Sequence, residues 1–525
     1  MRDFHMPGRS AVMAMNGICA TSHPLAAQVA VDMLRRGGNA MDAALAGAVL
    51  LGLCEPQMTG IGGDCFALIS PAGTEDVIAV NGSGRAPAQA SALALRAAGH
   101  DTVPTGSPHA VSIPGAVDAF CTMSERWGRL GLADSLAPAI HYMREGVPVA
   151  PRVQFDWKIA EKALQGTARD IYLSNGNAPR IGDIFRLPRQ AEVLEKIARQ
   201  GRAGFYEGEV AEDMVASLRA LGGTHNMGDF AATRCTIHDP LSGTYQGHEL
   251  LEHPPNGQGV IAHLMLNILS HFDLSTLDPL GFERAHIEAE AAKLAYDARN
   301  RFLADPAYMT RPDHLTDMNT AQNLSSLIDP KRAMASPARI SEQVHKETIY
   351  ITVVDKDRMA VSLIYSIFHS FGSGLASDKF GILFQNRAAG FSLQEGHPNE
   401  MAGGKRPMHT IIPAMLRHKG RVKMPFGVMG GQYQPNGHAR ILSNMLDYAM
   451  DTQTALDAPR SFAENGKLQL ERGYSDSVRA KLIDMGHEVS TPQTPIGGAQ
   501  AIMIHDNGHL EGASDPRKDG CAIGY

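Results

Sequence analysis

Residues 348–354 read TIYITVV and residues 359–367 read MAVSLIYSI, with the polar run DKDR at 355–358 between them. Apolar and β-branched runs of this length around a turn predict a β-hairpin. Neither run alternates apolar with polar, so both faces of the hairpin are expected to be covered. The stretch before it, 313–343, is polar with few large apolar clusters and is expected to be a mobile or surface-laid segment. Further strands are predicted over 65–70, 76–81, 410–416, 422–428 and 500–505. Helical spacing runs over 26–36, where Gly37 and Gly38 stop it. It resumes over 40–53, where Asn39 is suited to the N-cap and Asp42 to the positive N-terminal end. That second helix is apolar nearly all round and is therefore expected to be buried. Long helical patterns follow over 285–303, 438–456 and 475–485, while 130–220 mixes helical spacing with loops. Helices flanking buried antiparallel strands, without an internal repeat, predict a layered sandwich with sheet inside and helix outside.

Composition narrows the class. The chain has 525 residues, 44% hydrophobic and 20% charged, enough for a large core and, by length alone, about two to four domains. A formal net charge of −7 implies no basic face, so nucleic acid is not an expected partner. Residues 1–22 have no signal-type apolar core, and no apolar run of about 18 residues occurs elsewhere. A cytoplasmic location without membrane association is the expectation. The six cysteines are scattered without a CxxC or CxxH pair and read as buried free thiols in a reducing compartment.

Among candidate chemistries, the turn TGIGGDC at 59–65 fits neither a P-loop nor GxGxxG, and a close backbone approach explains its glycines. His286 and Glu288 are too close for one helix face and no HExxH occurs, so neither a metal nor another cofactor is expected. Ser107 and Ser370 lack a GxSxG elbow and read as loop residues. Thr348 stands out by position, at the start of a buried hairpin after a polar stretch. Gly430 and Gly431 follow the strand at 422–428. Two successive N–H groups in a glycine turn can form an oxyanion hole, although a plain strand-to-helix turn reads the same.

Several motifs, in order, resemble the γ-glutamyltransferase family over essentially the whole chain. GGNAMDAA at 37–44 is similar to its GGNAxDAA helix start, and EPQMTGIGG at 55–63 to its EPxxSGIGGG turn. The segment 281–306 ends DARNRFLADP like the family's long helix. GILFQN at 381–386 resembles GILLNN, and GASDPR at 512–517 with the final GY matches the family's tail. The resemblance implies an α+β fold, a four-layer αββα sandwich of the N-terminal nucleophile hydrolase type. It also implies a proenzyme that cuts itself between Glu347 and Thr348 into a large subunit, 1–347, and a small one, 348–525, together forming one catalytic domain. TIYITVVD at 348–355 aligns with the family's TTHxSVVD, which makes Thr348 the nucleophile. Its freed α-amine, with a pKa near ~8, can act as general base. Ser366 falls where the family has a second Thr, and Gly430 and Gly431 match its oxyanion pair. Arg85, in GSGRAP at 82–87, matches the arginine that grips a substrate carboxylate, a role suited to a guanidinium fork.

The departures bear on substrate. The family's Asp-Asp for the glutamyl amine falls at Ala389 and Gly390, its Asn at Phe368, and its Ser-Ser at His409 and Thr410, which remain candidate substrate contacts. A buried ammonium without its carboxylates would cost several kcal/mol. The expected substrate is thus a small amide with a carboxylate and no amine. The oxamate amidohydrolase branch, linked to purine-ring nitrogen salvage, fits this best, with oxalate and ammonia as products. The alternatives are a γ-glutamyltransferase or glutathione hydrolase, an acylase for bulky acyl amides, and an uncleaved, inactive binding protein on the same fold. Expected partners are the small amide, the two subunits of the one precursor, and a homo-oligomer of the cleaved heterodimer.

Overall fold

In a computed structural model, which describes residue 5, residues 8–335 and residues 348–525, the chain folds around two seven-stranded sheets. The first orders its strands β1 (Val12–Ala14), β13 (Leu510–Ser514), β12 (Gly498–Ile504), β11 (Arg421–Met429), β10 (Ala414–His418), β7 (His248–Glu252) and β6 (Leu241–Tyr245). The second runs β14 (Cys521–Gly524), β2 (Ile18–Thr21), β8 (Ile349–Val354), β9 (Ala360–Ser366), β3 (Asp64–Ser70), β4 (Ile78–Gly82) and β5 (Thr236–His238). All the pairings within both sheets are antiparallel.

Strand alternation assigns the layers. On the hairpin β8–β9, Ile349, Ile351, Val353, Val361, Leu363 and Tyr365 join a cluster with the helices Pro24–Arg35 and Ala40–Cys54. The opposite set, including Tyr350 and Ile364, meets Met429 of the other sheet. Outside that other sheet lie Gly259–Leu269, Phe282–Phe302 and Gln434–Leu446, whose apolar residues pack with Phe426 and Val428 of β11. The order is helix, sheet, sheet, helix, the αββα sandwich of the N-terminal nucleophile hydrolases. Both faces of β8–β9 are covered, which is why its sequence does not alternate. The helix Ala40–Cys54 is buried throughout and carries a full capping box. Asn39 Oδ1 accepts from the N–H of Asp42 at 3.2 Å, and Asp42 Oδ2 from the N–H of Asn39 at 3.0 Å.

Three expectations change. The strand expected over 410–416 begins only at Ala414, since Pro413 has no N–H for a ladder and Ile412 donates to Gln434 Oε1 at 2.8 Å instead. The helix expected over 438–456 is two, Gln434–Leu446 and Thr452–Asp457, broken where Ala449 takes φ 51°. Within 313–335 the chain is laid on the surface as expected and is anchored there. A helix, Met318–Ser325, is capped by Asp317, and Leu315, Ala321 and Ile328 are buried. Residues 336–347, including Glu347, lie outside the described residues. The cysteines are free thiols, but only Cys19, Cys54 and Cys65 are buried; Cys121, Cys235 and Cys521 are half-buried. No described helix is long and apolar enough to cross a membrane.

The segments on either side of the expected cut are not separate units. β8 and β9 insert between β2 and β3, and β14 caps the same sheet.

Candidate active site

Thr348 directly precedes β8. Ile349 pairs with Tyr365, so Thr348 lies level with Ser366, and alternation turns both hydroxyls toward the space between the sheets. Thr348 is 1% exposed and its Oγ1 donates to the carbonyl of Tyr365 at 3.2 Å. Ser366 Oγ accepts from the N–H of Phe368 at 2.9 Å.

The same end of the sandwich receives the glycine turn. Gly427 of β11 lies under the ring of Tyr350, where any Cβ would collide. Ser362 Oγ donates to the carbonyl of Phe426 at 3.3 Å. These contacts fix the sheets' register and carry the C-terminal end of β11 toward Thr348. Gly430 and Gly431 follow with φ 126° and φ 54°, values that favour glycine. A 3₁₀ turn, Gly431–Tyr433, leads into the helix Gln434–Leu446, and N–H groups of a first turn have no partner within the helix. The turn is buttressed by Gln258, whose Nε2 donates to the carbonyls of Gly431 (2.8 Å) and Thr410 (2.7 Å). Arg299 in turn donates to Gln258 Oε1 at 2.9 Å and to Gln432 Oε1.

Asp64, the first residue of β3, is fully buried and opposite Ser366 in the ladder. Its Oδ1 accepts from the N–H groups of Gly84 (2.9 Å) and Gly115 (3.2 Å) and from Gln385 Nε2 (2.8 Å). Its Oδ2 lies 3.1 Å from His409 Nε2. Burial and the Arg387 charge hold the His409 imidazole down at about 3, so the ring is neutral. His409 is thus held against Asp64, while Thr410 offers its hydroxyl to Arg387 Nη1 at 2.8 Å.

Arg387 was not singled out by the sequence, and it is fully buried. Its Nη2 is 3.5 Å from Ser366 Oγ, and its guanidinium carbon lies 4.0 Å from the centre of the Phe368 ring. Burial lowers its pKa to about 9. Arg85 is placed differently. It follows Gly84, but its side chain is 48% exposed, donating to the carbonyl of Gly404 at 3.0 Å and standing 3.5 Å from Asp305 Oδ2.

The structure therefore gathers Thr348, Ser366, Thr410, Gly431 and, through Asp64, His409 into one connected cluster, and leaves Arg85 facing solvent. Asp64, Gln258, Arg299 and Arg387 are the additions. Arg299 stands in the polar stretch 297–301 and the others at the edge of an apolar run or beside small residues, and only the partners reveal them. Among the described residues, His286, Glu290 and His487 could hold a metal ion by spacing. There His286 Nδ1 is bonded to His487 Nε2 at 2.8 Å and Glu290 is paired with Lys293.

The family description Gamma-glutamyltranspeptidase matches residues 26–525. The glutathione hydrolase-like YwrD proenzyme of Bacillus subtilis is 36% identical, over 98% of this chain and 99% of its own length. The oxamate amidohydrolase proenzyme of Klebsiella pneumoniae is 34% identical, over 98% of this chain and all (100%) of its own. Among solved structures, a cephalosporin acylase from Bacillus halodurans superposes with a TM-score of 0.93 at 35% identity, covering 100% of this chain and 99% of that one.

Proposed function

This chain belongs to the gamma-glutamyltranspeptidase family, and on that premise we propose a self-cleaving N-terminal-threonine amidohydrolase for small carboxylate-bearing amides, oxamate foremost. The observation that carries the reading is the position of Thr348. Its hydroxyl opens onto the inter-sheet space level with Ser366, at the end of the sandwich where the Gly430–Gly431 turn lies.

Processing comes first. Thr348 Oγ1 attacks the carbonyl carbon of residue 347, the nitrogen of Thr348 leaves, and water hydrolyses the resulting ester. Residues 1–347 and 348–525 stay in one fold because their strands interleave. The freed α-amine, with a pKa near ~8, then accepts the hydroxyl proton as Oγ1 attacks the amide carbon of the substrate. The N–H groups of Gly430 and Gly431 receive the oxyanion, a contribution worth ~10²–10³ in rate per donor. The ammonium passes its proton to the departing nitrogen, the C–N bond breaks, and ammonia leaves. Water, deprotonated by the same amine, cleaves the acyl-threonine. Oxamate gives oxalate.

The lack of an acidic pair supports an amine-free substrate. Ala389 and Gly390 supply no carboxylate, and Arg387 beside them would repel an ammonium. Arg85, half-exposed and paired with Asp305, can attract an incoming anion.

A denaturing gel with N-terminal sequencing tests processing, and ammonia release from a panel of small amides tests turnover. Faster release of glutamate from a γ-glutamyl anilide or glutathione than of ammonia from oxamate would replace the substrate and leave the nucleophile. An intact, inactive chain would leave a binding protein on the same fold.

A further inference from the structure

We propose that Arg387 is the substrate-carboxylate anchor of this site, restricting it to amides whose carboxylate lies within a bond or two of the scissile carbonyl. The inference rests on the amidohydrolase reading and adds the residue that sets its substrate class.

Four observations converge. First, the guanidinium is buried, yet among the described residues no carboxylate forms an ion pair with it. Asp64, the acid whose charge reaches it, already spends its oxygens on Gly84, Gly115, Gln385 and His409. Second, the fork is underused. Of its five N–H donors, Nη1 and Nη2 reach only the hydroxyls of Thr410 and Ser366, and Nε has no acceptor. A buried cation held by hydroxyls alone is costly until an anion meets it. Third, the Phe368 ring lies against the guanidinium. Phe368 is a non-glycine residue at φ 79°, and such left-handed backbone survives only where its surroundings fix it. An arginine held against an aromatic face has less freedom to lose when a carboxylate binds it bidentately. Fourth, the reach is short. Arg387 touches Ser366, and Ser366 is level with Thr348 on the adjacent strand, a backbone separation of about 5 Å. A carboxylate gripped there leaves space for one or two carbons before the nucleophile.

The test uses the processed enzyme and oxalate as probe. Calorimetry should show that wild type binds oxalate and that Arg387→Gln weakens binding by about 100-fold or more, as for loss of a desolvated charge partner. Arg387→Lys keeps the charge without the fork and should bind about tenfold more weakly than wild type. It also serves if Arg387→Gln fails to cleave itself or, by circular dichroism, to fold. In parallel, oxamate turnover should fall with oxalate affinity, while the uncharged diamide oxamide should lose its disadvantage in Arg387→Gln. Oxalate affinity within threefold of wild type in either variant, or no oxalate binding by wild type, would overturn the anchor. Oxalate binding that depends on Arg387 together with no oxamate hydrolysis would uphold the anchor and sink the oxamate reading instead.

Discussion

Replacing Asp64 by Asn tests whether the site depends on one buried carboxylate. Asparagine keeps the shape and one oxygen, so no cavity is made. With that oxygen left on Gly84, Gly115 and Gln385, the new NH₂ faces His409 Nε2, which is a donor in the neutral ring. The ring cannot simply change tautomer, because its Nδ1 accepts the N–H of Ile411 at 3.4 Å. One buried donor is then stranded, at about 1–3 kcal/mol, and three charge-assisted bonds become neutral ones, at roughly 0.5–1 kcal/mol each. The total is about 2.5–6 kcal/mol. An unfolding entropy of about 2.1 cal/mol/K per residue over 525 residues gives about 1.1 kcal/mol/K, hence a fall in Tm of about 2–5 °C. Scanning calorimetry of processed wild type and Asp64→Asn measures it, with the gel confirming that the variant has cleaved. A Tm within about 1 °C of wild type would refute the argument, since it would mean that His409 and the Gly84 loop do not depend on this charge.

Thr348→Ala should abolish both the 178-residue fragment expected of a cut after residue 347 (525 − 347) and ammonia release, while Thr348→Ser keeps part of each; an active, intact Thr348→Ala chain would remove the nucleophile assignment. Gly431→Val, at φ 54°, should cost ~10²–10³ in kcat by disturbing the oxyanion turn, and near-normal kcat would count against it. Arg85→Ala should raise KM for oxamate less than about tenfold, with kcat unchanged and the effect fading in salt, because its side chain is half-exposed and paired with Asp305; a large fall in kcat would place Arg85 at the chemistry. Stability should fall on acidification. Burial holds His23, His225 and His263 at about 4 and His253, His409 and His487 at about 3, whereas the unfolded chain titrates them near ~6.5. The unfolded state thus binds more protons below that pH, so this stability is present above it and is lost as pH drops, at up to ~1.4 kcal/mol per unit and group. Glu55, raised to about 7 by burial, works in the opposite direction. Tm should drop by about 5 °C between pH 7 and 5.5, and a flat or rising profile would contradict these burials.

The chain's own pattern determined the layers. Apolar runs that do not alternate, as at 349–354 and 360–366, belong only to strands covered on both faces, and a helix apolar all round, as at 40–54, only to a buried one. Local chemistry also fixed the Asn39–Asp42 cap, and the order of motifs pointed to Thr348, Ser366 and the glycine pair, because a threonine at a strand start and a glycine turn are short-range features. Strand limits at Pro413 and the break at Ala449 were matters of one backbone group each, which periodicity averages away. What only the tertiary structure decided was which charges meet. Arg85 and Arg387 are equal as letters. One is turned to solvent against Asp305, and the other is buried on Phe368 beside Ser366. Asp64 and His409 are 345 positions apart in the chain and 3.1 Å apart in space. The field at a buried group is a sum over neighbours brought together by folding, and no local pattern in the chain encodes that sum.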